Sequence, residues 1–271
     1  MSLNVSKALI QQATLMQSFN ITLVSGPPGV GKTTWIRQQL NASKTAVYLN
    51  VGSENTPIDT TYLATEVAEL TVLPLEQLTD FLAQPLVGSA VYVELGFQID
   101  LTSLILPDQM ADCKRVAVLP PGNRQTEWHR WADVVVTGIE TGVALSQPHL
   151  WRSVLSGQVL DLASLNTFWY EMTNGAYGTI QRAKGIFGVA DGRSLYFDFV
   201  AGLAKTTYLE LNLPLWLNGR PDQFSGIEVV GEMLDQEAIT QTIKDCCLED
   251  HVIAYYQQQV KNSLEPGDEV A

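Results

Sequence analysis

The stretch "VSGPPGVGKTTW", Val24 to Trp35, limits what this chain can fold into more than any other. An apolar run leads into a turn dense in glycine and proline, and the turn leads into a segment with helical spacing. Gly26, Gly31, Lys32 and Thr33 satisfy G-x-x-x-x-G-K-[ST], and the strand before and helix after that the motif requires are both present. In such a loop the glycines let backbone N–H groups turn inward on phosphate oxygens, and the helix N-terminus adds the positive end of its dipole. The expected nucleotide cradle is Gly26, Pro27, Pro28, Gly29, Val30, Gly31, Lys32, Thr33 and Thr34. Lys32 would reach the β and γ phosphates, and the Thr33 hydroxyl would ligate Mg²⁺. The plainer alternative, an ordinary glycine turn between strand and helix, loses ground because both requirements of context are met.

The rest of the first half fits a nucleotide-binding α/β fold. "NITLVSG", "KTAVYLNV", "SAVYVELG", "KRVAVLP" and "WADVVVTG" read as buried strands. Helix-compatible segments such as "TTWIRQQLNA" and "PLEQLTDFLAQ" separate some of them, which argues for a mainly parallel sheet covered by helices. After about residue 145 the texture changes. The segment from "FWYEMTNGAYG" to "LNLPLW" is aromatic and β-branched and is broken by turn signals, so it reads as antiparallel strands. Asp191-Gly192 is expected to make a tight primed hairpin turn, and Asp235 to cap a late helix. The expected division is a nucleotide-binding domain over residues 1–147, a linker over 148–164 and a smaller α+β domain over 165–271.

Charge and composition exclude several partners. The 271 residues carry a formal net charge of -13 and no basic run, which disfavours a nucleic-acid backbone or an anionic membrane surface. No apolar run of about eighteen residues suggests a membrane span, and "MSLNVSKALIQQATLM" lacks a signal-type core, so a cytoplasmic protein is expected. Cys113, Cys246 and Cys247 cannot form a disulfide framework. His129, His149 and His251 lie apart from any carboxylate or cysteine at ligand spacing, so no zinc site is expected.

Hydrolysis of a bound nucleotide needs a carboxylate at the end of a neighbouring strand to hold the metal or its water shell. Glu94, closing the apolar "VYVEL", is the candidate for this catalytic and Mg²⁺-binding role, since a glutamate in a buried strand is costly without a partner. A strand-end residue facing solvent is the alternative. Asp59, in "SENTPIDTTY", ranks behind it, because a loop aspartate capping the next segment explains it equally well.

These residues resemble the CobW-type P-loop GTPases and metallochaperones. "GPPGVGKTT" resembles that family's G-x-x-G-x-G-K-T-T, "IQRAKGIF" (Ile180 to Phe187) its R-x-K-G signature, and "IEVVGEMLDQEAITQTIKDCCL" its late strand, glycine and helix. The resemblance covers most of the chain and implies a GTP-binding domain followed by a smaller CobW C-terminal domain. Three departures matter. The family's C-x-C-C metal motif corresponds to "AELTVLPLEQL", Ala68 to Leu78, with no cysteine, so thiolate-based metal delivery is not expected. The guanine-reading N-K-x-D is reduced to Glu140, with Thr137 and Gly138 in place of Asn and Lys. A carboxylate there accepts from the N1-H and exocyclic amine of guanine, which leans the site toward GTP without excluding ATP. Finally, Gly96 follows Glu94 by two positions rather than three, with Leu95 between them, which points to slow turnover.

Two main functions stand open on the sequence. One is a Mg²⁺-dependent GTPase that hydrolyses slowly and serves a client protein or a cofactor-assembly step. The other is a divergent nucleotide-binding interaction module with little or no hydrolysis. A metabolite kinase using Arg124 and Arg130 would leave the C-terminal resemblance unexplained. Trp169, Tyr170 and Trp216 could form a partner or ligand surface, but small domains bury their aromatics, so they are expected to serve the core of the second domain.

Overall fold

The computed structural model describes residues 20–41, 45–53, 55–84, 88–122, 125–142, 148–204 and 206–264. In chain order the first elements are β1 (Asn20–Ser25), α1 (Lys32–Leu40), β2 (Ala46–Val51), α2 (Ile58–Glu66), β3 (Leu70–Val72), α3 (Leu78–Ala83), β4 (Ala90–Leu95), β5 (Lys114–Leu119), α4 (Glu127–Trp131) and β6 (Val134–Thr137). They are followed by β7 (His149–Val154), α5 (Leu162–Thr173), β8 (Thr179–Gly188), β9 (Ser194–Val200), β10 (Thr207–Glu210), β11 (Gly226–Glu232), α6 (Gln236–Asp245) and α7 (Asp250–Leu264). The chain groups into two compact units, and the grouping is not sequential. The first unit takes the chain through Pro27, Gly31–Glu54 and Val67–Gly138, and the second takes Pro28–Val30, Asn55–Glu66 and the chain from Ile139 onward.

The first unit is built on a six-stranded parallel sheet in the order β3-β2-β4-β1-β5-β6. All five strands read from the sequence are present. The sixth, β3, is a three-residue edge strand pairing Leu70–Val72 with Ala46–Tyr48, too short to show any alternation in the sequence. Ile21, Leu23, Val47, Leu49, Val91 and Val93 fill the core of this unit. Their continuous apolar runs are what a parallel sheet buried on both faces requires.

The second unit is a five-stranded antiparallel sheet in the order β10-β9-β8-β11-β7, with α5 and α6 contributing to its core. Four expectations change here. Residues 148–164 contain β7, which pairs with β11 from His149 to Val154 and is therefore part of the sheet. "FWYEMT" belongs to helix α5, because Leu165, Phe168, Trp169 and Met172 recur at helical spacing on the buried face and the Asp161 carboxylate caps the first turn by accepting from Ser164 N–H. Trp169 is core as expected, whereas Tyr170, one position round that helix, is 68% exposed. The Asp191-Gly192 turn does join β8 to β9, but through a wider loop: Val189 N–H bonds Arg193 O, Gly192 N–H bonds Val189 O, and Gly192 takes the positive φ of 87° that a three-residue hairpin needs. Asp235 caps α6 by accepting from Ala238 N–H, as expected, and a second helix, α7, follows.

Segment Asn55–Glu66 lies between β2 and β3 in the chain, yet α2 within it is packed into the second unit. Ile58 joins Ile186, Tyr196 and Leu211 in a small apolar cluster, and Tyr62 stacks on Tyr196 with ring centroids 4.4 Å apart. Beneath them Lys184 Nζ donates to Asp59 Oδ2 at 2.5 Å and lies 3.1 Å from Glu228 Oε1, while Arg152 Nε donates to Glu228 Oε2 at 2.7 Å. Burial opposes the charge on Lys184, but Asp59 and Glu228 outweigh it and raise the ammonium's pKa above its usual value. Burial likewise opposes the charge on Glu228, and Lys184 and Arg152 bring that carboxyl down to about 2.

No helix among the described residues is long and apolar enough to cross a membrane.

Candidate functional site

The site grows from the end of β1, at the centre of the parallel sheet, where the chain leaves the strand and enters α1. In open α/β sheets ligands bind beyond the carboxyl ends of the strands, and this is such an edge. Gly26, Gly29 and Gly31 have φ of 151°, 79° and 94°, so the loop follows a path closed to most side chains. Gly31 is the N-cap of α1 and has no side chain to satisfy the first-turn amides of the helix. Lys32 arches back over the loop, its Nζ donating to Gly26 O and Pro27 O at 3.0 Å each. A cation is thereby held beside a helix N-terminus.

Thr33, in the first turn of α1, donates its hydroxyl to both oxygens of Glu94, at 3.1 Å to Oε1 and 3.0 Å to Oε2. Glu94 is the penultimate residue of β4, opposite Val24 of β1, and is 5% exposed. The solvent-facing alternative for Glu94 is thus set aside. A hydroxyl and a carboxylate are hard oxygen donors of the kind Mg²⁺ takes, so these two residues fit a Mg²⁺ site, with Lys32 beside them in sequence for phosphate charge. Thr34 is exposed, and Ser25, at the end of β1, accepts from Trp128 Nε1 at 3.2 Å.

Sequence reasoning missed the underside of this site. Tyr48 of β2 is fully buried and its hydroxyl donates to Glu94 Oε2 at 2.9 Å, while Asn50 Nδ2 donates to the Tyr48 oxygen at 3.1 Å. It also missed a tie between the loops after β2 and β4, where Gln98 Nε2 donates to Gly52 O at 2.7 Å and Gly96 N–H to Val51 O at 2.9 Å.

Asp59 lies in the first turn of α2, in the second unit, where its carboxylate accepts from Lys184 Nζ. Glu140 is exposed in the segment after β6 that groups with the second unit. Arg130 is exposed on α4, and Arg124 lies outside the described residues. Cys246 is buried at the end of α6, where burial pushes its thiol up to about 11. Among the described residues no group of three or more His, Cys, Asp or Glu is arranged to hold a metal.

Two solved structures align with most of the chain. The Zn(II)-bound YjiA GTPase from E. coli does so at 14% identity, over 85% of this chain and 99% of its own, with a TM-score of 0.31. A Zn(II)-bound triple mutant of YjiA GTPase gives 14%, 85%, 99% and 0.32. Scores this low transfer no function. No protein-family model and no curated protein matches the sequence.

Proposed function

We propose that this chain binds a guanine nucleotide with Mg²⁺ on the loop Gly26–Thr34 and hydrolyses GTP slowly, as a CobW-like protein whose nucleotide state is read by a partner protein. The observation that carries the reading is the hydroxyl of Thr33 bridging both oxygens of the buried Glu94, one residue on from a lysine folded over a left-handed glycine loop. Such a set has no structural need of all its parts. A core strand would be cheaper without Glu94, and a surface turn needs no buried acceptor for Thr33.

In this reading Thr33 and Glu94 hold Mg²⁺, which when bound neutralises charge on the transferred phosphoryl. Lys32 adds a fixed positive charge at the phosphates, and the amides of the first turn of α1 orient them. Preference for guanine rests on Glu140 alone. The second reading, a nucleotide-binding module with little turnover, is favoured by one observation: the start of the loop after Glu94 is tied back through Gln98 to Gly52, leaving little freedom there to position a water.

The test is calorimetry with GTP, GDP and ATP in Mg²⁺, together with phosphate release, on the wild type and Lys32→Ala. Expected are binding of GDP and GTP that Lys32→Ala weakens at least about a hundredfold, in line with loss of a charge-assisted phosphate contact, and GTP turnover above that of the variant. No binding of any nucleotide by the wild type overturns the proposal. Binding without turnover selects the second reading.

A further inference from the structure

A strand buried on both sides of a parallel sheet is normally filled by Val, Ile and Leu, and β2 follows that rule at Val47 and Leu49. Tyr48 breaks it. Its ring is fully buried, and a phenol in such a place is costly unless its hydroxyl is satisfied. The hydroxyl is satisfied by Glu94, the carboxylate that Thr33 also contacts. Strand register explains the reach. Asn50 lies opposite Glu94 and Tyr48 opposite Tyr92, so Tyr48 meets Glu94 along the diagonal, a span that an aromatic side chain covers. Asn50, on the same face as Tyr48, donates to the phenol oxygen and so orients its proton toward the carboxylate. Trp35 of α1 packs edge-on against Tyr92, with ring centroids 6.4 Å apart, and gives this face an aromatic wall.

We infer that Tyr48, itself oriented by Asn50, is a positioning residue for the Mg²⁺ site: it holds the Glu94 carboxylate in the one orientation in which Thr33 and Glu94 together take the metal. This rests on the nucleotide reading above. Two donors converge on Oε2, and Thr33 also reaches Oε1, so three contacts from two side chains define the plane of the carboxylate. Without the phenol hydroxyl, Oε2 loses one of these two donors, and the Thr33 contribution is a single hydroxyl shared between two oxygens. Mg²⁺ tolerates little departure from octahedral geometry, so a carboxylate free to swing is a poorer ligand. Loss of an outer partner of this kind typically costs about 10–100-fold in metal affinity or activity. Phenylalanine would fill the same volume, so the hydroxyl is the part that packing leaves unexplained.

The experiment is Tyr48→Phe, read by titrating fluorescent GDP into the protein in EDTA and then at graded Mg²⁺. Each variant's own affinity in EDTA is its reference, and the quantity compared is the Mg²⁺ concentration giving half of the metal-dependent gain. Expected is a rise of about tenfold in that concentration for Tyr48→Phe. Glu94→Gln should be worse, and the double variant no worse than Glu94→Gln alone, because Tyr48 acts through Glu94. If Tyr48→Phe does not fold, Asn50→Ala is read in its place, with a rise of about threefold expected from the disoriented phenol. A change under about twofold in the folded variant, or a double variant that adds the two losses, overturns the inference while leaving nucleotide binding standing. A wild type that binds no GDP, or binds it without any effect of Mg²⁺, overturns the metal-site reading and this inference with it.

Discussion

Removing the charge from Lys184 tests the physical account of the second unit most directly. Its side chain is 10% exposed, and the ammonium lies 2.5 Å from Asp59 and 3.1 Å from Glu228, whose side chains are 5% and 8% exposed. At an effective dielectric of about 20, one charge pair near 3 Å is worth roughly 5 kcal/mol before desolvation. Replacement by methionine keeps most of the volume, deletes both attractions and leaves two buried carboxylates, of which Glu228 keeps its contact with Arg152. Breaking a buried pair from one side costs about 3–5 kcal/mol, and that is the loss expected for Lys184→Met. In urea this lowers the midpoint by roughly 1–2 M at an ordinary slope. Tryptophan fluorescence follows it, since Trp151 and Trp169 lie in the core of the same unit. The companion variant is Lys184→Met with Asp59→Leu, which replaces a buried ion pair with apolar groups and should recover about half or more of the loss. A single variant within about 1 kcal/mol of wild type, or a double variant less stable than the single, would refute the reasoning.

Two further outcomes follow from the same unit. The Glu228 carboxyl lies at about 2 in the folded protein against an ordinary 4.5, so its contribution of roughly 3 kcal/mol is fully present above pH 4.5 and is lost as pH falls toward 2. Urea midpoints measured from pH 6 to pH 3 should fall more steeply in wild type than in Glu228→Gln, and equal slopes would contradict the assignment. Gly178 has φ of 118°, and a Cβ there would sit 2.6 Å from Met233 O and 2.8 Å from Glu232 O, both backbone. Gly178→Ala is therefore expected to cost about 1–3 kcal/mol. Gly188→Ala, whose Cβ would meet its nearest neighbours at an ordinary 3.5 Å, should stay near wild type in thermal unfolding.

Features encoded within a few consecutive residues were legible in the sequence. The glycine loop, the strand before it and the cap at Asp235 are local, and each carries its own signal within six or so positions. Five of the six parallel strands announced themselves as apolar runs: four because a strand covered on both faces has few polar positions to interrupt it, and β6 because its residues are valines although, at the sheet edge, Val134 and Val135 are exposed and the strand is not buried as its sequence suggests. Helix α5 was obscured by its own composition. Its aromatic residues suggested strand, although Leu165, Phe168, Trp169 and Met172 carry the helical period. What could not be seen were pairings across long stretches of chain. Tyr48 meets Glu94 46 residues away and Lys184 meets Asp59 125 away, and neither spacing leaves a mark in any short window. The R-x-K-G run drew attention to Lys184, yet the spacing of that run says nothing of a carboxylate in α2. Glu94 was found because an acid in an apolar strand is conspicuous by cost, whereas a tyrosine in a strand looks ordinary until its hydroxyl is traced.

The assignment of Asn55–Glu66 to the second unit also bears on how the chain is made. Strands β2 and β3, which flank that segment, need only the first half of the chain for their partners, but Ile58 and Asp59 need Ile186, Tyr196 and Lys184. On a ribosome adding about 5–20 residues per second, the strands that receive α2 emerge roughly six to twenty-five seconds after the helix itself. During that interval the nascent parallel sheet carries a segment whose Ile58 has no apolar cluster to enter and whose Asp59 lacks the Lys184 ammonium. A fragment ending near residue 147 would hold that condition permanently, so the boundary suggested by chain order is a poor place to cut this protein.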